Sequence, residues 1–384
     1  MKLFNRLIAI VLAILTVFAL AACGSSSNNV GGVDNENDKG GKDDKASTVE
    51  ISDAIKAAME KNKHLTQANY FFVEDGTILT LGGDSEKKYA GEYSKLTGVK
   101  QLIAGAGLSS FALTESGELY CRDAKIAENV SMMAYCTTNV NVEGFCVINN
   151  ELRRVDSYQH LQDNALNYMF KNYPSEDKLT GDIAFIEVDK HDFIVLNTEG
   201  KFFAYWTSEE YSQLDYTSFE DLCIVDIAKK MKVMGGGVQS LTVAGVKGDG
   251  TPVATGTYAN DILSWGKLAD LAMSDGIIVG LTEDGKVKMT GDYAEKMKSI
   301  VEGWTNIVAI EVGHATGGNI DDIVTAIDSD GTIHFACIMN EYNEPETGTI
   351  SVDGVTGGRS CHKYVNGTEF YTTYEGKWEE NTDE

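Results

Sequence analysis

Between Tyr70 and Cys337 the chain repeats one short pattern seven times, and a repeat of fixed period constrains a fold more than any single motif does. The units read YFFVEDGTILTLG from Tyr70, FALTESGELYCRD from Phe111, FCVINNELRRVD from Phe145 and FIVLNTEGKFFAYW from Phe193. They continue as VAGVKGDGTPVATG from Val243, IVGLTEDGKVKMTG from Ile278 and VTAIDSDGTIHFAC from Val324. Aligning them at Gly76, Gly117, Asn150, Gly200, Gly250, Gly285 and Gly331 puts Phe72, Leu113, Val147, Leu196, Val246, Leu281 and Ile327 in one apolar column. Two residues earlier stand Tyr70, Phe111, Phe145, Ile194, Ala244, Val279 and Thr325, the partners on the same face of a strand. Each unit is therefore a strand, a tight polar turn and a second strand. The turns carry Gly or Asn because two-residue hairpin connections need positive φ. Pro252 follows the fifth turn and lacks an N–H, so its nitrogen is expected to face away from a neighbouring strand.

Further strand-like runs precede most units, such as Val99 to Gly105 and Ile307 to Gly313, which gives each unit at least three strands. The 255 residues from Gly76 to Gly331 span six intervals with a mean of 42.5, within the period of propeller blades of roughly 40 to 50 residues. The expectation is an all-β chain, a seven-bladed β-propeller over 66–340, with short helical inserts at 161–173 and 294–301. The run V-x-x-I-x-x-G before a hairpin with a Ser-Gly or Asp-Gly turn resembles the repeat of the regulator of chromosome condensation family, in a degenerate form found in exported bacterial proteins. That resemblance covers residues 68 to about 340 and implies the propeller fold; no residue of the family's nuclear exchange activity maps onto this chain. Residues 341–384 lie outside the repeat, and strands at 347–352 and 368–374 are candidates for closing the ring.

The amino terminus has a different grammar. Lys2 and Arg6 precede an apolar run from Leu7 to Leu20, the layout of a secretory signal, and the run is short for a membrane span. Leu20-Ala21-Ala22-Cys23-Gly24 resembles the lipobox of bacterial lipoproteins, which implies a signal peptide at 1–22 and lipidation of Cys23. The implied location is the extracytoplasmic face of the cell membrane, held by acyl chains such as palmitate, since more than one chain gives firm anchoring. Residues 23–46 are rich in Gly, Ser, Asn and Asp and cannot offset the entropy of ordering, so they are expected to be a flexible tether. Over 47–65 an amphipathic helix is expected, with Ser47 and Glu50 as a capping box and Ile51, Ala54, Ile55, Ala58 and Met59 on one face.

With 32 Lys and Arg against 58 Asp and Glu, the net charge of −26 opposes binding to a phosphate backbone, so no nucleic-acid partner is expected. No cofactor or metal site is expected: the six histidines do not stand at ligand spacing, no C-x-x-C occurs, and Asp328 to Gly331 and Asn319 to Asp322 are only fragments of calcium loops. The glycine clusters at 105–107 and 235–237 lack the Lys-Ser/Thr ending of a phosphate loop. Beyond Cys23 stand Cys121, Cys136, Cys146, Cys223, Cys337 and Cys361; export permits disulfides, but five of the six lie in strand-like apolar runs at no regular spacing, which favours buried free thiols over a disulfide, and Cys361 beside His362 reads as a reactive pair to be tested. Trp206, Trp265 and Trp304 fall near blade connections, where rings serve either a rim or the core.

These observations favour a non-catalytic propeller for recognising a protein or a glycan, its ligand-binding residues unassigned. A propeller-type polysaccharide hydrolase is the alternative and needs acids converging on the central channel. A solute-binding lipoprotein is the second alternative and needs alternating βα units.

Overall fold

A computed structural model describes residues 48–382 apart from 63–64, 66–70, 75, 82–83, 105–109, 123, 138–141, 156–160, 163–180, 190–191, 206–208, 232–237, 275, 292–293, 315–321, 339–343, 352 and 358–359. Cys23, Trp206 and both glycine clusters lie outside the described residues.

The described residues open with helix α1 (Asp53–Asn62) and the hairpin β1 (Phe71–Glu74) and β2 (Thr77–Thr80). Helix α2 (Asp84–Tyr93) leads to sheet 2, formed by β3 (Val99–Ala104), β4 (Ser110–Thr114), β5 (Leu119–Cys121) and β6 (Ala124–Ala127). Sheet 3 holds β7 (Val130–Thr137), β8 (Val142–Ile148), β9 (Glu151–Val155) and β10 (Leu161–Gln162). Sheet 4 holds β11 (Ile183–Asp189), β12 (Asp192–Asn197) and β13 (Phe202–Tyr205), followed by the turn-long α3 (Glu209–Ser212). Sheet 5 holds β14 (Leu222–Met231), β15 (Val238–Lys247) and β16 (Pro252–Gly256), followed by α4 (Ala259–Leu263). Sheet 6 holds β17 (Leu268–Ser274), β18 (Ile277–Thr282) and β19 (Val287–Thr290), followed by α5 (Ala294–Val301). Sheet 7 holds β20 (Ile307–His314), β21 (Asp322–Asp328), β22 (Ile333–Ile338), β23 (Glu346–Ser351) and β24 (Gly354–Val355). The last strands, β25 (His362–Val365), β26 (Thr368–Thr372) and β27 (Trp378–Glu380), return to the beginning: β25 pairs with β2, so both chain ends build sheet 1.

All pairings among the described strands are antiparallel, and a buried apolar cluster joins each sheet to the next. Phe111 and Leu113 meet Met133 and Cys146 between sheets 2 and 3, and Val279 and Leu281 meet Ile310 and Val324 between sheets 6 and 7. A last cluster joins Ile323, Ile327 and Phe335 of sheet 7 to Leu79, Leu81 and Cys361 of sheet 1. Sheets stacked face to face in cyclic order, each supplying both faces to a neighbour, are the arrangement of a β-propeller.

The turns depart from the expected two-residue form. In the hairpin β18–β19 the Gly285 N–H donates to Thr282 O and the Thr282 N–H to Lys286 O, a type I turn closed by Gly285 at φ 76°. The same geometry recurs at Gly117, Gly250 and Gly331, with φ between 80° and 84°. The expected two-residue form does occur between Glu74 and Thr77 and at Asn149-Asn150, where Ile148 pairs with Glu151 and both asparagines have positive φ, 50° and 64°. Pro252 opens β16, the outermost strand of sheet 5, where its missing N–H breaks no ladder.

Three further expectations change. Helix α1 begins at Asp53 with the Ser52 hydroxyl accepting from the Ile55 N–H at 3.3 Å, and Ser47 lies outside the described residues. Leu161 and Gln162, expected to start a helix, instead pair as strand β10 with Val155 and Arg154. Helices α2 and α4 were not foreseen; α2 wedges Ala90 and Tyr93 between sheets 1 and 2.

Sheet 1 is also built out of phase. The turn of its repeat unit, at Gly76, follows its first strand, whereas in sheets 2, 5, 6 and 7 the repeat turn, at Gly117, Gly250, Gly285 and Gly331, follows the second. Among the described residues, sheet 1 thus lacks a counterpart to the first strands of the other sheets. Helix α1 packs beside the first strands of sheets 6 and 7, β17 and β20, with Ile55 and Ala58 fully buried.

Candidate functional site: carboxylates near the axis and a histidine cluster on the closing sheet

The first strands of sheets 3 to 7 lie side by side, β7 against β11, β11 against β14, β14 against β17 and β17 against β20. Four of them carry one acid between apolar neighbours: Glu187, Asp226, Asp270 and Glu311. Period-two alternation puts Asp226 on the face of Ile224 and Ala228, which packs toward sheet 6, and Glu311 on the face of Ala309, which packs toward sheet 1. Asp226 accepts the Met273 N–H at 2.7 Å, and Asp270 accepts the Ile310 N–H at 3.3 Å, each from the next sheet. Each also takes an N–H of its own strand, from Ile227 at 2.6 Å and Leu271 at 2.9 Å. These carboxylates fasten one first strand to the next, and charge-assisted bonds to buried amides are the strong kind.

Glu311 stands where the pattern meets the seam with sheet 1. Its carboxyl takes the Val312 N–H at 3.0 Å. Burial pushes its pKa well above the usual carboxylate range; the negative charges of Asp226 and then Asp270 push the same way, and the Val312 bond opposes them. A carboxyl whose pKa is raised in this way holds its proton more readily than an exposed one. Among the described residues no group of three or more His, Cys, Asp or Glu is placed to hold a metal ion.

On the closing sheet, Cys361 and His362 do not form the reactive pair expected from their adjacency, because neighbouring residues of a strand point to opposite faces. Cys361 is fully buried against Leu79 and Leu81, and burial pushes its thiol up to about 12, which leaves it without thiolate character. His362 faces the other side. Its Nδ1 lies 2.8 Å from Glu369 Oε1, and its Nε2 lies 3.3 Å from the hydroxyl of exposed Ser360. Glu369 is itself fixed by Tyr364 Oη, donating at 2.9 Å, and by Asn381 Nδ2, also at 2.9 Å. Burial alone would raise the pKa of Glu369, but the bonds from Asn381, Tyr364 and His362 outweigh it and hold the carboxyl below its usual range. Burial first, then the bond to Glu369, raises the Tyr364 phenol. Beside this cluster, a shallow groove between α2 and the sheet is lined by Lys87, Lys88, Lys95, Glu92, Tyr364 and Glu369.

The remaining sequence candidates resolve as structure. Asp328 Oδ1 accepts from the N–H groups of Asp330 and Thr332 and its Oδ2 lies 3.0 Å from His334 Nε2, so the calcium-like fragment is a turn. Asn319 to Asp321 lie outside the described residues. Cys121, Cys146, Cys223, Cys337 and Cys361 are buried free thiols, and burial pushes Cys146 and Cys223 up to about 12. Trp265 and Trp304 are partly buried and pack against the core. The acids of the first strands were not singled out, although an isolated acid inside an apolar run, as in Ile310-Glu311-Val312, is a legible signal.

No protein-family model matches the chain, and no curated protein matches it in sequence. Solved structures are similar at low levels. Human WBSCR16 shows 10% identity, covers 74% of this chain and 87% of its own, and has a TM-score of 0.37. Yeast RCC1 (Prp20), in a structure with Kap60, shows 11% identity, with 94% and 80% covered and a TM-score of 0.27. The extracellular domain of the putative hybrid two-component system BT3049 from B. thetaiotaomicron shows 10% identity, with 79% and 44% covered and a TM-score of 0.34. Similarity at this level assigns no relative and no function, and the class of this protein rests on its own sheet order.

Proposed function

We propose that this chain is a lipoprotein anchored through Cys23 on the extracytoplasmic face of a membrane, and that its sheets form one closed seven-bladed propeller used to recognise a protein or a glycan. The observation that carries the recognition reading is the engagement of Asp226 and Asp270: both are committed to backbone amides of the adjacent sheet, so they serve the scaffold and leave binding to the loops. The antiparallel sheets offer no support for a solute-binding βα architecture. The test is cross-linking on intact cells followed by affinity recovery, with Cys23→Ala as control. A reproducible protein or glycan partner lost in the control supports the reading, and recovery no different from the control sinks it. Metabolic labelling with a fatty-acid analogue tests the anchor directly, with incorporation expected in the wild type and absent from Cys23→Ala. The polysaccharide-hydrolase reading draws on Glu311, a proton-holding acid beside Asp226 and Asp270. It requires turnover that disappears in Glu311→Gln.

A further inference from the structure

We propose that the groove between α2 and the closing sheet binds a neutral hexose unit at the end of a glycan, a site apart from the loops; this rests on the glycan arm of the recognition reading. The groove encloses about 380 Å³, at the small end of ligand clefts of about 300 to 1,000 Å³, and it is shallow, so a sugar that ends a longer chain can enter. Helix α2 lines it with Lys88, Gly91 and Glu92, and Lys95 follows just past the helix end, all at the three-four spacing of one face. The closing sheet supplies Glu369 across the groove. Ammonium groups only donate and carboxylates only accept, so the lining alternates donor, acceptor and donor along the helix with a second acceptor opposite. A sugar hydroxyl both donates and accepts, and a ring of neighbouring hydroxyls uses both kinds of group. Lys87 also lines the groove but has a partner already, which leaves Lys88 and Lys95 against Glu92 and Glu369. That balance of charge selects a neutral ligand over an anion.

Two details show a groove kept open and set in advance. Gly91 lies inside α2 with no positive φ, and a β-carbon there would meet only the Tyr364 ring, at 3.4 Å from Cε1. Neither the backbone nor the packing demands glycine at that position, although glycine weakens a helix relative to alanine. What its missing side chain does is leave space over Tyr364. Glu369 is fixed before any ligand arrives: Oε1 takes His362 and Tyr364, and Oε2 takes Asn381. A carboxylate has about four acceptor sites, so one remains on Oε2 for a ligand hydroxyl. Tyr371 stands two residues along β26 on the same face as Glu369 and is 37% exposed, an aromatic surface for the C–H face of a sugar ring.

The test is saturation-transfer NMR on the full mature protein with methyl β-D-glucoside, methyl β-D-galactoside and methyl α-D-mannoside, and with glucuronate and inorganic phosphate as anions. Transfer to the ring protons of at least one glycoside is expected. Gly91→Ala and Glu92→Ala are each expected to weaken that glycoside about tenfold, the size of one net hydrogen bond, and Tyr371→Ala to weaken it as well. Gly91→Ala is also expected to raise the melting temperature, because alanine suits a helix better than glycine, so its weaker binding cannot come from a loosened fold. No transfer to any of the three glycosides overturns the site, and so does binding that the Gly91 and Glu92 substitutions leave unchanged. Tighter binding of glucuronate or phosphate than of every glycoside overturns the neutral ligand. Partner recovery on intact cells separates the two readings. A partner recovered equally by wild type and Gly91→Ala, from a protein that binds no glycoside, removes the groove and leaves recognition standing. Glycoside binding with no partner recovered keeps the groove and counts against the intact-cell reading alone.

Discussion

Sheet 6 and sheet 1 are made from similar hairpins but by opposite routes. Sheet 6 runs from Leu268 to Thr290 without leaving the chain, and each of its strands pairs with the one before it. Sheet 1 joins β2 to β25 across nearly the whole sequence, Thr77 opposite Val365 and Thr80 opposite His362. Its outer strands also reach sheet 7: the Val355 N–H donates to Gly376 O at 2.7 Å and Trp378 Nε1 to Ser351 O at 3.1 Å. A local sheet closes short loops at small entropic cost, whereas the pairing of β2 with β25 closes a loop nearly the length of the described chain. The lesson is that the repeat whose described strands include no counterpart to the first strands of the other sheets is the one completed by the far end of the chain.

Deleting 361–384 has the largest expected effect. It strips three strands from sheet 1 and uncovers Leu79 and Leu81, which are each 8% exposed in the intact ring. Several buried leucine-sized losses of about 2–5 kcal/mol each approach the whole stability of a domain, about 5–15 kcal/mol. The truncated chain is expected to lose its cooperative melting transition by circular dichroism. A transition near that of the full chain would show that the ends are not the latch.

A matched pair of leucines sharpens the comparison. Leu281 of sheet 6 is 1% exposed, and Leu281→Ala is expected to cost about 4 kcal/mol in denaturant unfolding. Leu79→Ala, at the less enclosed seam, is expected near about 2 kcal/mol. Equal costs would mean that the seam is as well packed as the continuous sheets.

Asp270→Ala removes the acceptor shared by Ile310 and Leu271 in a residue that is 3% exposed, leaving buried amides unmatched. A loss of about 2 kcal/mol is expected, with faster hydrogen exchange at the Ile310 amide. No change at that amide would show that the carboxylate does not fasten sheets 6 and 7.

The smallest effect depends on pH. The folded pKa of Glu311 lies above its unfolded value, so between the two the native state binds more protons and stability falls as pH rises through that window. Glu311→Gln has no proton to lose. Its melting temperature is expected to gain on the wild type as pH rises from about 4.5 through the folded pKa, and to match it at lower pH. Parallel curves across the series would contradict a raised pKa at the seam.

Much of the fold was legible because its determinants are local. Positive φ at Gly117, Gly250, Gly285 and Gly331 requires a residue without a β-carbon, and apolar alternation on either side marks the two strands. Less of the site was legible. The adjacency of Cys361 and His362 suggested one chemistry, and the alternation of the strand gave another by turning His362 toward Ser360 and Glu369. The acids of the first strands are legible as isolated charges in apolar runs, but only the register between sheets shows that Asp226 meets Met273.

By itself, the sequence determined the hairpins, their period, the acidic balance and the separate character of the first 46 residues, because each depends on composition or on contacts within a few residues. Which strands complete the first hairpin, where α1 lies, which carboxylates bind amides and which side of β25 faces solvent were decided only by tertiary structure. Those contacts join residues distant in the chain, and their energies appear only when closure brings both ends of the ring into one sheet.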